Sequence, residues 1–136
     1  MEITDNELKE IFMKFKNVAT VGFSKDPSKW AGFVPRFLIS KGYNVIPVNP
    51  MADEIEGRKS YHQLSEVPEQ VEIVQVFRPS EEVPGIVNQA IGMNVKVIWL
   101  QKGIVSEEAE KIAESHGITF LQDLCMYEEY TRLFGP

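Results

Sequence analysis

The sequence predicts an α/β domain: a doubly wound, five-stranded parallel sheet with helices on both faces. Three observations lead there. First, five short, nearly continuous apolar runs recur along the chain: "VATVG" (18–22), "NVIPV" (44–48), "EIVQVF" (72–77), "VKVIWL" (95–100) and "ITFLQ" (118–122). Strands that are apolar at successive positions are covered on both faces, as in parallel sheets. Second, segments of helical periodicity separate most of the runs, and strand–helix alternation implies right-handed crossovers. Third, the chain has 136 residues, 43% of them hydrophobic and 25% charged, enough for one domain with a real core and too few for two ordinary ones. Numbering the runs along the chain, the expected strand order is 3-2-1-4-5, with the switch point between the first and fourth strands.

The elements follow in order. An N-terminal helix is expected from about residue 4 to 16, packed on the domain, with Thr4 and Glu7 at capping-box spacing. After the first strand, "FVPRFLISKG" places Phe33, Phe37 and Leu38 on one side of a helix that stops at Gly42. Pro47 lies inside the second run and has no N–H to give a ladder, so it fits near a strand end or where no donor is needed. Residues 49–70 break the alternation, with a turn around Gly57 and a short helix near His62 to Glu66. "SEEVPGIVNQAIGMN" offers Ser80 as N-cap and Val83, Val87, Ala90 and Ile91 as an apolar stripe. "SEEAEKIAESHG" opens at Ser106 and closes at Gly117, and a last helix covers about 127–134.

Composition removes several function classes. The net charge is -6 and no basic stripe appears, which argues against wrapping a nucleic acid but allows a local cationic pocket for one small anion. The single cysteine, Cys125, excludes an internal disulfide. No apolar stretch approaches the ~20 residues that cross a bilayer, and "MEITDNELKEIF" is acidic and amphipathic, unlike a targeting peptide. The expected location is cytoplasmic, with no membrane partner.

In such sheets ligands bind beyond the carboxyl ends of the strands. Five segments occupy that edge: "GFSKDPSKW" (22–30), "VNP" (48–50), "FRPSE" (77–81), "LQKG" (100–103) and "QDLC" (122–125). In the first, Gly22 permits close backbone approach, Ser24 offers a hydroxyl, the amides of Ser24 to Asp26 can turn to the crevice, and Lys25 and Lys29 add positive charge. That set suits a phosphate; it also suits an ordinary polar loop, and the loop alone does not separate the two. The stretch 22–27 has one glycine where a nicotinamide fingerprint needs three, and the second strand ends in neutral Asn49 where that fingerprint needs an acid. A Walker A loop is absent. Arg78 is suited to pair with a phosphate or with an acid of the protein, and Gln101, Lys102 and Gly103 can contact an extended ligand arm.

Taken together, "VGFSKDP", "GYNVIPVNPMADEIEGRKSYHQLSEVPE", "VEIVQVFRPSEEVPGIV", "VIWLQKGIVSEEA" and "DLCMYEEYTRL" resemble the small stand-alone CoA-binding proteins, whose fold is shared with the N-terminal domain of the succinyl-CoA synthetase alpha subunit. The resemblance covers nearly the whole chain from residue 17 and implies a Rossmann-like sheet with CoA or an acyl-CoA as ligand. It implies that Gly22, Phe23, Ser24, Lys25 and Asp26 approach the phosphates and that Val48, Asn49 and Pro50 border the adenosine. Phe77, Arg78 and Val83 would flank the nucleotide or pantetheine, and Leu100, Gln101 and Gly103 the arm leading to the thiol. Lys29 and Ala31 depart from an arginine and a serine common in such proteins; Trp30 beside them is placed to stack on a base or to cap its helix against the sheet.

No catalytic residue is expected. The synthetase relatives carry a catalytic histidine in a second domain; here His62 falls in the irregular insert and His116 at a helix C-terminus, both with structural roles. Cys125 has Asp123, Glu128 and Glu129 as neighbours, which disfavour a thiolate, and reads as a small buried residue; a mixed disulfide with the CoA thiol is the alternative. Asp53, Glu54 and Glu56 lack a His or Cys partner and read as a solvated turn, not a metal site. The expectation is thus a single domain over residues 1–136 that binds CoA and does no chemistry by itself. The rivals are a CoA-binding subunit of a two-chain acyl-CoA ligase and a nicotinamide-binding redox protein. An exposed Trp or Phe is compatible with a homodimer.

Overall fold

In the computed structural model, which describes residues 3–136, the central sheet is five-stranded and wholly parallel. Its strands are β1 (Asn17–Val21), β2 (Asn44–Val48), β5 (Ile73–Val76), β6 (Val97–Leu100) and β7 (Thr119–Leu121); β3 (Glu54–Ile55) and β4 (Arg58–Lys59) form a separate small hairpin. The helices are α1 (Asp5–Lys14), α2 (Trp30–Ser40), α3 (Val83–Ile91), α4 (Glu107–Ser115) and α5 (Met126–Phe134), with 3-10 turns at Leu64–Glu66 and Ser80–Glu82.

Successive strand residues point to opposite faces, and each face has its own core. Val18, Val45, Ile73, Val97, Trp99 and Leu121 meet α1, α2 and α5 through Leu8, Phe12, Val34, Leu38 and Met126. Ala19, Ile46, Val74, Val76, Ile98 and Leu100 meet α3 and α4 through Val83, Val87, Ala90, Ala109 and Ala113. Both faces are covered, which is why the runs are apolar at nearly every position. Two buried strand residues break the apolar pattern. Thr20 and Gln75 are fully enclosed on the α2/α5 side and hydrogen-bond each other, Thr20 Oγ1 donating to Gln75 Oε1 at 2.7 Å.

The strand order is β2-β1-β5-β6-β7. Counted as the five apolar runs, that is 2-1-3-4-5 and not the expected 3-2-1-4-5, and the switch point lies between the first and third runs. The insert explains the difference. After the small hairpin the chain returns along the outer edge of β2: Tyr61 N–H donates to Pro47 C=O at 3.0 Å and Asn49 N–H to Tyr61 C=O at 2.8 Å. That edge is taken, so the third run pairs with the free side of β1. Pro47 is tolerated because the N–H and C=O of one strand residue point to the same side. Its missing donor therefore faces the edge segment and not β1.

Local expectations fare unevenly. Thr4 and Glu7 form the capping box, with bonds of 3.1 and 3.0 Å, and Ser106 Oγ accepts from Ala109 N–H. Ser80 does not cap α3. Pro84 sets the start of that helix at Val83, and Ser80 Oγ instead accepts from Val105 N–H, tying the two loops beyond β5 and β6 together. No described helix is long and apolar enough to cross a membrane.

Candidate functional site

A cleft of about 690 Å³ opens at the carboxyl ends of β1, β2 and β5. Its floor is Val21, Gly22, Val48 and Phe77; Ser24, Lys25, Lys29 and Ala31 form one wall, Asn49, Pro50, Met51 and Ala52 another, and Arg78, Glu82, Ile86 and Gln89 a third. Gly22 has φ +93, and a Cβ there would stand 3.1 Å from Phe77 C=O, so the turn out of β1 needs glycine on both counts.

The loop between β1 and α2 is shaped from behind. Pro35 has no N–H to donate to Ala31 C=O, the partner four residues back. That carbonyl instead accepts from Ser24 N–H at 3.0 Å, fastening the loop to the helix. Arg36 then binds three carbonyls, those of Ser24 (3.1 Å), Gly32 (2.9 Å) and Lys25 (3.2 Å), while its Nε donates to Glu56 at 2.9 Å. In a trans peptide the C=O of one residue and the N–H of the next point opposite ways. Holding Ser24 C=O on the Arg36 side therefore turns Lys25 N–H the other way. That amide, with those of Trp30 and Ala31 in the first turn of α2, has no partner among the described residues. Asp26 closes the loop: its carboxylate accepts from Ser28 N–H (2.9 Å) and Oγ (2.6 Å), bonds that hold its carboxyl below the ordinary carboxylate range. A Cβ on Gly32 would collide with the Asp26 carbonyl, so loop and helix touch directly there.

The residues singled out from sequence divide clearly. Gly22, Ser24, Lys25, Lys29, Val48, Asn49, Pro50, Phe77 and Arg78 all line the cleft. Asn49 is largely used within the protein. Its Nδ2 donates to Phe23 C=O (2.9 Å) and its Oδ1 accepts from Met51 N–H (2.8 Å), bracing the β2 loop against the β1 loop. Arg78 pairs with Glu82 through bonds of 3.0 and 2.7 Å, and Glu82 is held below the usual carboxylate range by that guanidinium. Trp30 and Gln101 instead line a second, smaller chamber of about 290 Å³, which shares Phe77 with the cleft and is completed by Lys102, Ile104, Cys125 and Glu128. Phe23, Asp26, Val83, Leu100 and Gly103 line neither space. Phe23, Val83 and Leu100 are fully enclosed in the core, and Gly103 N–H donates to Asp123 at 2.7 Å.

Arg36, Gly32 and Ile86 are not among the residues expected at the site, and His62 is expected in a structural role. His62 lines the cleft, with Nε2 3.0 Å from Asp53 Oδ1. His116 stays at the end of α4, against Ile112 C=O. Pro35 was the visible signal for the loop anchor; nothing in the sequence marked Arg36 as its staple. Among the described residues no group of three or more His, Cys, Asp or Glu is placed to hold a metal ion.

A strand-end cleft with outward amides and two lysines has features that suit an anion, and comparison with known proteins places the chain in a family. The pattern of the CoA binding domain matches residues 16–131. The chain belongs to that family. The Bacillus subtilis protein YneT is 38% identical over 120 residues, covering 88% of this chain and 89% of that one. The solved structure of a hypothetical protein from Pyrococcus horikoshii superposes with a TM-score of 0.95 at 36% identity, covering 98% of this chain and 94% of the other. The alpha subunit of an ADP-forming acetate–CoA ligase I of Pyrococcus furiosus is 32% identical over 108 residues, which are 73% of this chain but 23% of the subunit. This CoA-binding-domain chain thus matches stand-alone proteins over nearly their full length and the ligase subunit over less than a quarter of it.

Proposed function

We propose that the protein binds CoA or an acyl-CoA in the strand-end cleft and performs no chemistry alone. The observation that carries this reading is the loop from Gly22 to Ala31. Arg36 and Pro35 fix its carbonyls at the back, while unpartnered amides and the side chains of Lys25 and Lys29 line the front. Amides at a helix start and flanking cations are what a diphosphate needs. The adenosine lies between Val48–Ala52 and Ile86, and the pantetheine arm passes Phe77 toward the chamber. Neutral Asn49 at the end of β2 leaves room for a phosphorylated ribose, which a carboxylate there would repel.

The likeness to a ligase alpha subunit supports a second reading, in which a partner chain acts on the CoA held here. Calorimetric titration with CoA, using NAD and ATP as controls, tests the first. Saturable CoA binding that Ser24→Tyr abolishes is the expected result. No CoA binding by folded protein stripped of ligand would refute it.

A further inference from the structure

The chamber beyond Phe77 has one polar feature that a CoA thiol does not answer. Gln101 is 4% exposed. Its Oε1 accepts from Met126 N–H at 3.0 Å and from Gln75 Nε2 at 3.3 Å, and Gln75 is anchored in turn by Thr20. A backbone N–H can only donate, so the Met126 bond settles which end of the amide is oxygen. Nε2 is left without a partner among the described residues, on a side chain that lines the chamber. The remaining walls are the apolar surfaces of Trp30, Phe77, Ile104 and Cys125. At the rim Lys102 and Glu128 face each other at 3.5 Å, both well exposed, so the space carries no net charge of its own.

We propose that this chamber receives the thioester end of a short, uncharged acyl-CoA, with Gln101 Nε2 donating to the thioester carbonyl. The proposal rests on the reading of the cleft as a CoA site and names the form of CoA that the site prefers. A thiol is a weak acceptor. Filling the chamber with one would strip solvent from the Gln101 donor and give little back, and an unmade buried hydrogen bond opposes binding. A thioester carbonyl restores the bond and leaves its alkyl group on the apolar wall. At about 290 Å³ the chamber falls at the lower limit of small-molecule sites and has no space for a long chain. A carboxylate on the acyl group would find no unpaired cation there.

Titration of the protein with CoA, acetyl-CoA, propionyl-CoA, succinyl-CoA and palmitoyl-CoA tests this. Acetyl- and propionyl-CoA should bind about three- to tenfold tighter than CoA, the gain of one neutral hydrogen bond; succinyl- and palmitoyl-CoA should show no such gain. Gln101→Met removes the donor and should erase the preference of acetyl-CoA over CoA. Ile104→Trp, which fills the chamber from another element, should erase it too. In the unaltered protein the infrared stretch of the bound thioester carbonyl should lie at or below its position in water. Equal binding of CoA and acetyl-CoA, or a carbonyl stretch raised as in an apolar solvent, overturns the proposal and leaves CoA binding intact. Absence of binding by every CoA species overturns both.

Discussion

The two ends of the proposed site are built on opposite principles. At the β1 end the loop from Gly22 to Ala31 is exposed and charged, and its shape comes from one arginine that gathers its carbonyls. At the β6 end the chamber is small, neutral and mostly apolar, and its shape comes from Thr20, Gln75 and Gln101, which cross three neighbouring strands through bonds of 2.7 and 3.3 Å. The first end suits a group recognised by charge, and the second suits one recognised by fit and a single hydrogen bond. Salt should weaken the first and leave the second nearly unchanged, because exposed charges are screened and buried neutral contacts are not.

Breaking the arginine staple should have the largest effect. Arg36→Ala removes four hydrogen bonds and frees the carbonyls of Ser24 and Lys25. We expect a stability loss of about 2–3 kcal/mol in denaturant unfolding and CoA affinity lowered by at least about tenfold. Unchanged affinity would mean that the loop keeps its shape without Arg36. At the other end, Thr20→Val leaves Gln75 Oε1 buried without its donor and should cost about 1–2 kcal/mol of stability. CoA affinity should stay within about twofold, since in the proposed site the relay meets the arm and not the phosphates.

The smallest effect sharpens the contrast. Glu82→Gln releases Arg78 at the cleft rim and removes a negative charge beside it. CoA binding should tighten about two- to fivefold at low salt, the scale of an exposed ion pair, and the gain should vanish at high salt. The pH dependence has a definite sign. The Glu82 carboxyl is depressed in the folded protein, so the pair is fully present above its ordinary value of 4.5 and is lost as pH falls through the lower folded value. Stability from this pair is therefore constant near neutrality and declines only in acid.

The contrast also explains what was legible in the sequence. The strands announced themselves because parallel strands covered on both faces carry apolar residues in runs, and Thr4 and Ser106 announced helix starts through their capping chemistry. The charged end was legible for a similar reason: Gly22, Lys25 and Lys29 follow a strand closely, and local spacing is what a sequence displays. The strand order was not legible. It depends on residues 58–61 returning to the edge of β2, a contact between segments whose sequences do not advertise it. The chamber was hidden likewise, since Trp30, Phe77, Gln101 and Cys125 come from four separate segments. Thr20 and Gln75 stood in plain view as polar residues inside apolar runs, and they were the one available clue to a buried relay.

The most direct test of the account follows backbone amide resonances while CoA is added to the uniformly 15N-labelled protein. The amides of Lys25, Trp30 and Ala31 should move downfield together and saturate, as N–H groups do on meeting phosphate oxygens, with the edge strand β7 unmoved. Saturable shifts confined to β7 and α4, or no shifts at the β1 loop while CoA binds, would contradict the assignment of that loop as the phosphate site.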